Sequence, residues 1–400
     1  MTPPADPLTI MHDGAVDDAA RDVARAAVPG TGADAISGAA ANIGTGGDGP
    51  SMPRAQGTAP AGRAARQPRA GAGSVCVVPP EYDLPMRVGI SSCLLGNMVR
   101  FDGGHKRDPW VVDVLGRFAT YVPVCPEVEC GMSIPREALR QVGDPEAPRL
   151  VTVQTGEDWT ERMNQWATAR VEALATEGLC GFIFKRASPS SGMERVKVYT
   201  GIGKQSAPPV LKGVGLFARI FMQRFPLLPV EEEGRLNDAM LRENFIERLF
   251  VMQRWQVLVA GWSMGGLVEF HTRHKLLVLA HSTEHYRRLG KLVAAGAGMD
   301  ASALQQQYLA LLMEGLRLRA TTAKHGNVLQ HVMGYFRRDL TSDEKQELLD
   351  VIASYRAELV PLIVPITLLN HYVRKYCQPY LAGQYYLAPH PAELKLRNHV

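Results

Sequence analysis

The sequence of 400 residues lacks an apolar run of the roughly 18 residues that a membrane-spanning helix needs. Its first residues, Met-Thr-Pro-Pro-Ala-Asp, carry neither the basic stretch nor the apolar stretch of a secretory signal. A strong charge imbalance is also absent, because the formal net charge is only +4. That value permits a nucleic-acid partner without arguing for one. We therefore expect a cytoplasmic protein with no membrane partner.

Cysteine is scarce in this chain. The six cysteines are Cys76, Cys93, Cys125, Cys130, Cys180 and Cys377. In a cytoplasmic protein, grouped cysteines bind metals or perform redox chemistry more often than they form disulfides. Cys125 and Cys130 lie five residues apart around a turn, which is not the tight Cys-x-x-Cys of a zinc knuckle. Their spacing alone leaves metal ligation and ordinary burial as small hydrophobic residues both open.

Composition divides the chain into three parts. Residues 1–84 are rich in Ala, Gly, Asp and Pro and nearly free of aromatics. This composition predicts a disordered tail, because such a segment cannot bury enough apolar surface to offset the conformational entropy that it would lose on folding. Residues 85–208 alternate short apolar runs with helical patterns at 109–120 and about 160–177, which predicts an α/β domain of three layers with a mostly parallel sheet. Residues 209–400 show nearly continuous helical periodicity and predict an all-α domain.

Three loops of small and polar residues follow predicted strands of the α/β domain. They read Ser-Ser-Cys-Leu-Leu-Gly at 91–96, Cys-Pro-Glu-Val-Glu-Cys-Gly at 125–131 and Lys-Arg-Ala-Ser-Pro-Ser-Ser-Gly at 185–192. Because loops at the carboxyl ends of parallel strands converge, we expect all three over one crevice. Their thiols, hydroxyls and carboxylate are typical of a soft metal centre or a nucleophile.

The helical part carries histidines and basic groups interleaved with tyrosines. Four histidines fall on one predicted helix from residue 267 to 292, namely His271, His274, His281 and His285. Glu284 is misplaced for the His-Glu-x-x-His zinc motif, which leaves phosphate or RNA contact and a structural role as the readings. Basic and aromatic side chains together suit looped RNA, although they also occur in any amphipathic helical domain. The candidate phosphate-binding residues are Arg287, Arg288, Arg337 and Arg338.

Long stretches of the chain resemble two known families. Residues 91–106, 125–127 and 188–192 resemble the three signature loops of the TudS-type thiouracil desulfidases. From about residue 213 the chain resembles the YbgA-type helical domain, notably at residues 270–275, 279–281, 327–331, 361–365 and 380–384. The fused arrangement is similar to the desulfidases that convert 4-thiouridine in tRNA to uridine.

The resemblance implies a 4Fe-4S cluster on three thiolates, with one iron open to the substrate sulfur, and hydrolytic release of that sulfur as sulfide. Residue by residue, it implies Cys93 and Cys125 as cluster ligands, Glu127 as general acid and base, and Ser188 as an assisting serine. Thiolates are the usual ligands of such clusters. The alternative roles are an exposed loop carboxylate for Glu127 and a helix N-cap for Ser188.

One residue departs from the family pattern, because Ser191 stands where the single-domain family has cysteine. A hydroxyl is a hard, weak ligand for iron, so we infer that Cys130 supplies the third thiolate. Cys180 begins a predicted buried strand and is interpreted as a packing residue.

The expected partner is tRNA or a thiolated nucleotide, and the oligomeric state stays open. The competing readings are a desulfidase of free thiouracil or thio-UMP, and a non-catalytic iron–sulfur or RNA-binding protein that has lost activity through the change at residue 191.

Overall fold

Two small β-sheets organise the first half of the protein. The computed structural model describes residues 86–201 and 208–399, so the predicted tail at 1–84 and Cys76 lie outside the described residues. Within those ranges the strands are β1 (Met86–Ser91), β2 (Ala119–Val124), β3 (Leu139–Val142), β4 (Arg149–Thr152), β5 (Leu179–Phe184), β6 (Val196–Tyr199), β7 (Val210–Gly213) and β8 (Val230–Glu232).

Sheet A has the strand order β2-β1-β5-β8 and is parallel throughout. Every residue of β5 is buried, because a parallel strand covered on both faces must be apolar along its whole length. This confirms the mostly parallel sheet that the apolar runs predicted.

Sheet B has the order β4-β3-β6-β7 and was not predicted. Its β3–β4 and β6–β7 pairs are antiparallel, whereas β3–β6 is parallel. Strands β7 and β8 follow the predicted boundary at residues 208 and 209, in the part of the chain where the sequence indicated helices. That expectation was wrong there, because strands of three or four residues carry too little periodicity to be recognised.

Helices supply the rest of the described structure. They are α1 (Pro126–Glu129), α2 (Thr160–Ala175), α3 (Leu216–Arg224), α4 (Ala239–Ala260), α5 (Met264–His281), α6 (Thr283–Ala295), α7 (Ala301–Arg317), α8 (Thr322–Gly334), α9 (Ser342–Arg356), α10 (Ile363–Lys375) and α11 (Pro379–Ala382). In the described ranges, none of these helices combines the length and hydropathy needed to cross a bilayer.

Sheet A lies between two helical layers. Phe182 and Phe184 of β5 pack with α2 and α3 on one face, while Cys180 and Ile183 pack with α4 and the helical half on the other. A Cβ at Gly181 would stand 2.2 Å from the Leu249 side chain, so glycine allows the close approach of α4. This confirms the predicted three layers and the packing role of Cys180.

Two predicted helices differ from the structure. The helix expected from residue 267 to 292 is divided into α5 and α6 at Ser282, whose hydroxyl accepts a hydrogen bond from the backbone N–H of His285 at 3.3 Å. The side-chain cap competes with a continuous helix at this point. The helix expected at residues 109–120 is a π turn at Trp110–Val114 followed by a 3₁₀ turn at Leu115–Arg117.

Candidate functional site

A cavity of about 360 Å³ opens at the carboxyl ends of β1, β2 and β5. The three loops singled out from the sequence form much of its wall, together with residues 136–139 before and at the start of β3. The backbone N–H of Lys185 donates to the Ser91 hydroxyl at 2.9 Å and joins the first loop to the third. The predicted convergence of the loops over one crevice is therefore present in the structure.

Two thiols face this cavity. Cys93 follows β1 in a 3₁₀ turn, and Cys125 lies between β2 and α1. Burial, aided by the nearby Glu127 carboxylate, raises the pKa of Cys93 to about 11 and that of Cys125 to about 12. Both thiols are therefore protonated at neutral pH unless a cation replaces the proton, so neither is an activated nucleophile.

Glu127 places a carboxylate on the wall beside these thiols. The Cys125 thiol donates to its Oε2 at 3.5 Å, and the Arg136 guanidinium stands 3.8 Å from the same oxygen. Its Oε1 accepts a short hydrogen bond from the Ser190 hydroxyl. Since Ser190 is fully buried, Glu127 is held from behind while its carboxylate opens onto the cavity.

The predicted assisting serine joins the same chain of hydrogen bonds. Ser188 lines the cavity, and its hydroxyl is 2.9 Å from that of Ser190. A continuous path of exchangeable protons thus runs from Ser188 through Ser190 to Glu127. Ser188 also accepts from the backbone N–H of Ser191 at 3.2 Å. It therefore caps a turn, and the helix that it was considered to cap is not formed, since no helix lies between β5 and β6 in the described chain.

The third loop is anchored by residues far along the chain. The Gln141 side chain donates to the Pro189 carbonyl at 2.8 Å. The Glu232 carboxylate accepts from the Met193 N–H at 2.8 Å, and Glu233 accepts from the Arg186 N–H at 2.6 Å. The end of β8 and the residue after it therefore fix the loop that carries the serines.

Basic side chains dominate the charge of the cavity wall. The cationic lining residues are Arg100, Lys106, Arg136, Lys185 and Arg186, against the carboxylates of Glu127 and Glu137. Lys185 pairs with Glu233. The excess positive charge favours a ligand that carries phosphate.

The two candidates for the third metal ligand lie in different surroundings. Ser191 lines the cavity, whereas Cys130 does not. Cys130 is buried in an apolar cluster with Met132 and Leu150, and its thiol donates to the Glu127 carbonyl at 3.3 Å. Burial raises its pKa to about 11.

A cluster on three thiolates therefore fits the described residues only in part. Cys93 and Cys125 present soft donors to one cavity, but in the ranges 86–201 and 208–399 no three His, Cys, Asp or Glu side chains are grouped as a metal site. Ser191, which stands where the single-domain family has its third cysteine, lines the cavity with Cys93 and Cys125.

Comparisons with known proteins match two successive parts of the chain to two different families. Residues 88–233 match the family described as 2-thiouracil desulfurase, and residues 275–391 match a family described as protein of unknown function (DUF1722). The uncharacterized protein YbgA of Escherichia coli (strain K12) is 37% identical over 139 residues, which are 34% of this chain and 82% of YbgA. The chain belongs to the YbgA family. Its desulfurase domain ends at residue 233, directly after β8, which places that strand with sheet A.

A solved structure is also similar to the chain. The [4Fe-4S]-dependent thiouracil desulfidase TudS is 26% identical, with 38% of this chain and 94% of TudS covered, at a TM-score of 0.31. The family matches and the similarity to YbgA make the chain a thiouracil-desulfurase (TudS-type) domain fused to a YbgA-type domain.

The YbgA-type domain buries the histidines on which an RNA surface was considered. His271, His274, His281 and His285 are all buried, so the structural reading holds for them. The four candidate arginines are exposed, two on α6 and two after α8, and Arg288 pairs with Glu284 at 3.2 Å. None of the four lines the desulfurase cavity.

Sequence reasoning missed Ser190, Arg136 and Glu232. The run Ser-Pro-Ser-Ser offered several serines, but which hydroxyl meets Glu127 depends on the turn that the loop adopts. Arg136 and Glu232 reach the site through long-range folding, which leaves no local signal.

Proposed function

We propose that the protein removes sulfur from thiolated uracil, with 4-thiouridine in tRNA as the substrate and uridine and sulfide as the products. The observation that carries the proposal is the Glu127 carboxylate, held by the Ser190 hydroxyl next to the Cys125 thiol on the wall of a cavity. A proton acceptor beside soft sulfur ligands suits the replacement of sulfur by oxygen at carbon. The family match over residues 88–233 supports the same chemistry.

The reaction balances with water alone. The C–S bond of the thiocarbonyl breaks, a C–O bond forms from water, and the two protons of water leave with the sulfur as hydrogen sulfide. Glu127 accepts a proton from the attacking water and returns it to the departing sulfur. The hydrogen bond from Ser190 keeps the Glu127 carboxylate in the orientation that receives this proton.

An iron–sulfur cluster is the proposed cofactor, with Cys93, Cys125 and Cys130 as its ligands. When bound, it supplies a Lewis acid that prefers sulfur over the oxygens of a nucleic acid. Cys130 follows the single turn of α1 after Cys125, and its thiol contacts the backbone of Glu127. After Cys93 and Cys125, which lie on the cavity wall, Cys130 is therefore the thiol nearest to that wall along the chain.

The charge of the cavity supports a nucleotide rather than a free base. Arg100, Lys106 and Arg186 would meet the phosphates flanking the reacting base, since basic side chains on a rim bind phosphate oxygens. Arg100 already pairs with Asp102, but an uncharged base such as thiouracil would give Lys106 and Arg186 no anionic group to bind. This favours tRNA or thio-UMP over free thiouracil.

The experiment compares three substrates on one preparation of anaerobically reconstituted full-length protein. These are tRNA containing 4-thiouridine, thio-UMP and free 4-thiouracil, with loss of the thiocarbonyl absorption and release of sulfide as readouts. We expect the highest kcat/KM for the tRNA and the lowest for the free base. Equal rates on all three would contradict the tRNA assignment. Failure of every substrate with an intact cluster would favour the non-catalytic reading.

A further inference from the structure

A second cavity, of about 210 Å³, lies inside the YbgA-type domain. Residues from α4, α5, α8 and α9, from the α7–α8 connection and from the C-terminal segment converge on it. No residue of the desulfurase cavity contributes to it. The site is therefore separate from the centre described above.

Its floor holds two buried glutamates that differ in how well they are compensated. Glu247 Oε1 is 2.8 Å from His281 Nε2, and its Oε2 is 3.8 Å from the Arg397 guanidinium. Burial opposes its charge, but His281 and Arg397 together lower the pKa of Glu247 to about 2. Glu247 is thus fully engaged by protein partners.

Glu243 is compensated less well. Arg397 donates to its Oε1 at 3.1 Å, while Oε2 lies 3.6 Å from His399 Nε2, beyond a normal hydrogen bond. Burial raises the pKa of Glu243 despite the charge of Arg397. Because Glu243 lines the cavity, a ligand that donates to Oε2 would add a close hydrogen bond to this oxygen.

Two arginines add positive charge to the lining of the cavity. Arg317 and Arg319 line it and are exposed. Arg317 donates a hydrogen bond to the Pro226 carbonyl at 3.2 Å, and Arg319 donates to the Met240 sulfur at 3.1 Å. Among the described residues, neither arginine pairs with a carboxylate. Glu358, also on the wall, is 3.5 Å from the Thr322 hydroxyl.

Two aromatic rings also line the cavity. Those of Tyr355 and His325 have centroids 6.4 Å apart and planes at 76° to each other. His325 Nδ1 is 3.2 Å from the Tyr386 hydroxyl, and burial lowers its pKa to about 3, so its ring is neutral. A neutral aromatic wall suits a planar ring that stacks on it.

We propose that this second cavity binds one nucleotide whose base carries an exocyclic amino group, with the amino group donating to Glu243 and the phosphate held by Arg317 and Arg319. The volume is below the roughly 300–1,000 Å³ of cavities for drug-sized ligands, so it admits a single base and leaves the sugar and phosphate at the mouth. The proposal is independent of the desulfidase activity.

The carboxylate sets the base preference. Cytosine, adenine and guanine each present an exocyclic amino group to a hydrogen-bond acceptor. Glutamate and aspartate side chains recognise cytosine by accepting from this group. Uracil presents one N–H between two carbonyl oxygens, which a carboxylate repels. The second cavity therefore discriminates against the base that the desulfurase cavity accepts.

The test measures binding of CMP and UMP to the full-length protein by isothermal titration calorimetry. We expect CMP to bind at least about tenfold more tightly than UMP, which corresponds to ~1.4 kcal/mol. Arg317→Ala and Arg319→Ala, both at exposed positions, should each weaken CMP binding by about tenfold. Lys345→Ala, at an exposed position outside both cavities, is the matched control and should leave it unchanged.

Glu243→Gln should remove the preference for CMP over UMP, and its thermal melting is measured alongside because Arg397 loses a partner. The two arginine variants keep the proposal testable if the Glu243→Gln protein unfolds. Equal affinity for CMP and UMP, or CMP binding unaffected by both arginine variants, would overturn the site.

A second arm identifies the source of the nucleotide. A cytidine trinucleotide that binds more tightly than CMP would assign the site to an unstacked nucleotide of RNA, and equal affinity would assign it to free nucleotides. Desulfidation of thio-UMP should be unchanged in Arg317→Ala and Arg319→Ala. Loss of nucleotide binding with intact desulfidation, or the reverse, separates this proposal from the proposed function.

Discussion

The buried Ser190 hydroxyl donates its hydrogen bond to Oε1 of Glu127, a residue 63 positions earlier in the chain. The contact links the loop after β5 to the turn after β2. Because Ser190 is fully buried and Glu127 opens onto the cavity, the hydroxyl fixes one carboxylate oxygen, while the other faces the Cys125 thiol and the Arg136 guanidinium.

Glu127→Gln should lower kcat by about 10²–10⁴-fold, because an amide cannot accept the proton of the attacking water. The amide can still accept the hydrogen bond from Ser190, so the fold and the iron content should not change. Single-turnover kinetics on the thiolated substrate, with iron analysis of the same sample, checks both. A loss below about threefold would return Glu127 to a structural role.

Ser190→Ala should lower kcat by roughly 10- to 100-fold, since a hydrogen bond to a charged group contributes about 1.5–3 kcal/mol. Ser190 touches Glu127 and not the cavity, so KM should change little. In the Glu127→Gln background the same substitution should have almost no further effect, because the two residues act as one unit. Additive losses in this double-mutant cycle would contradict the positioning role.

Cys130→Ala should abolish iron binding and the broad visible absorption of the cluster if Cys130 supplies the third thiolate. The structure offers a rescue, since Ser191 already lines the cavity. We expect Cys130→Ala combined with Ser191→Cys to regain iron, because the second change places a soft ligand on the wall. Cys180→Ala is the control, with a thiol that packs against α4. Intact iron content in Cys130→Ala would remove Cys130 from the ligand set.

Charge reversal at Arg287, Arg288, Arg337 and Arg338 should weaken tRNA binding and flatten its dependence on salt, because each phosphate contact releases counterions. The four exposed side chains are remote from the desulfurase cavity wall, so activity on thio-UMP should be retained. Filter binding of tRNA across a salt series measures the slope. A slope equal to that of the wild type would show that these arginines do not contact phosphate.

Stability should fall as the pH decreases below about 6.5. Burial lowers the pKa of His271 and that of His390 to about 4, so the unfolded chain takes up protons that the folded chain refuses. At pH 5 each histidine therefore lowers the free energy of unfolding by about 2 kcal/mol relative to neutral pH. The decrease is complete only below the pKa of the histidine in the folded protein.

Urea unfolding at pH 7.5, 6 and 5 measures this dependence. His271→Asn should reduce it, because asparagine does not titrate and its amide can still meet the Tyr308 hydroxyl, which is 3.1 Å from the His271 ring. A free energy of unfolding that stays constant from pH 7.5 to 5 would contradict the prediction.

The sequence predicted the features that depend on local periodicity. The apolar run of β5 and the helical pattern of residues 160–177 gave a strand and a helix close to the observed bounds. The convergence of Cys93, Cys125 and Glu127 also followed, because parallel strands place their carboxyl ends at one edge.

Tertiary structure alone decided the rest, because it depends on contacts between distant residues. The choice of Ser190 over its neighbours as the partner of Glu127, and the placement of Ser191 rather than Cys130 on the cavity wall, follow from how two loops pack together. The burial of Glu243 beside Arg397 joins residues 154 positions apart. No spacing along the chain encodes such contacts, since they form only when the whole core has assembled.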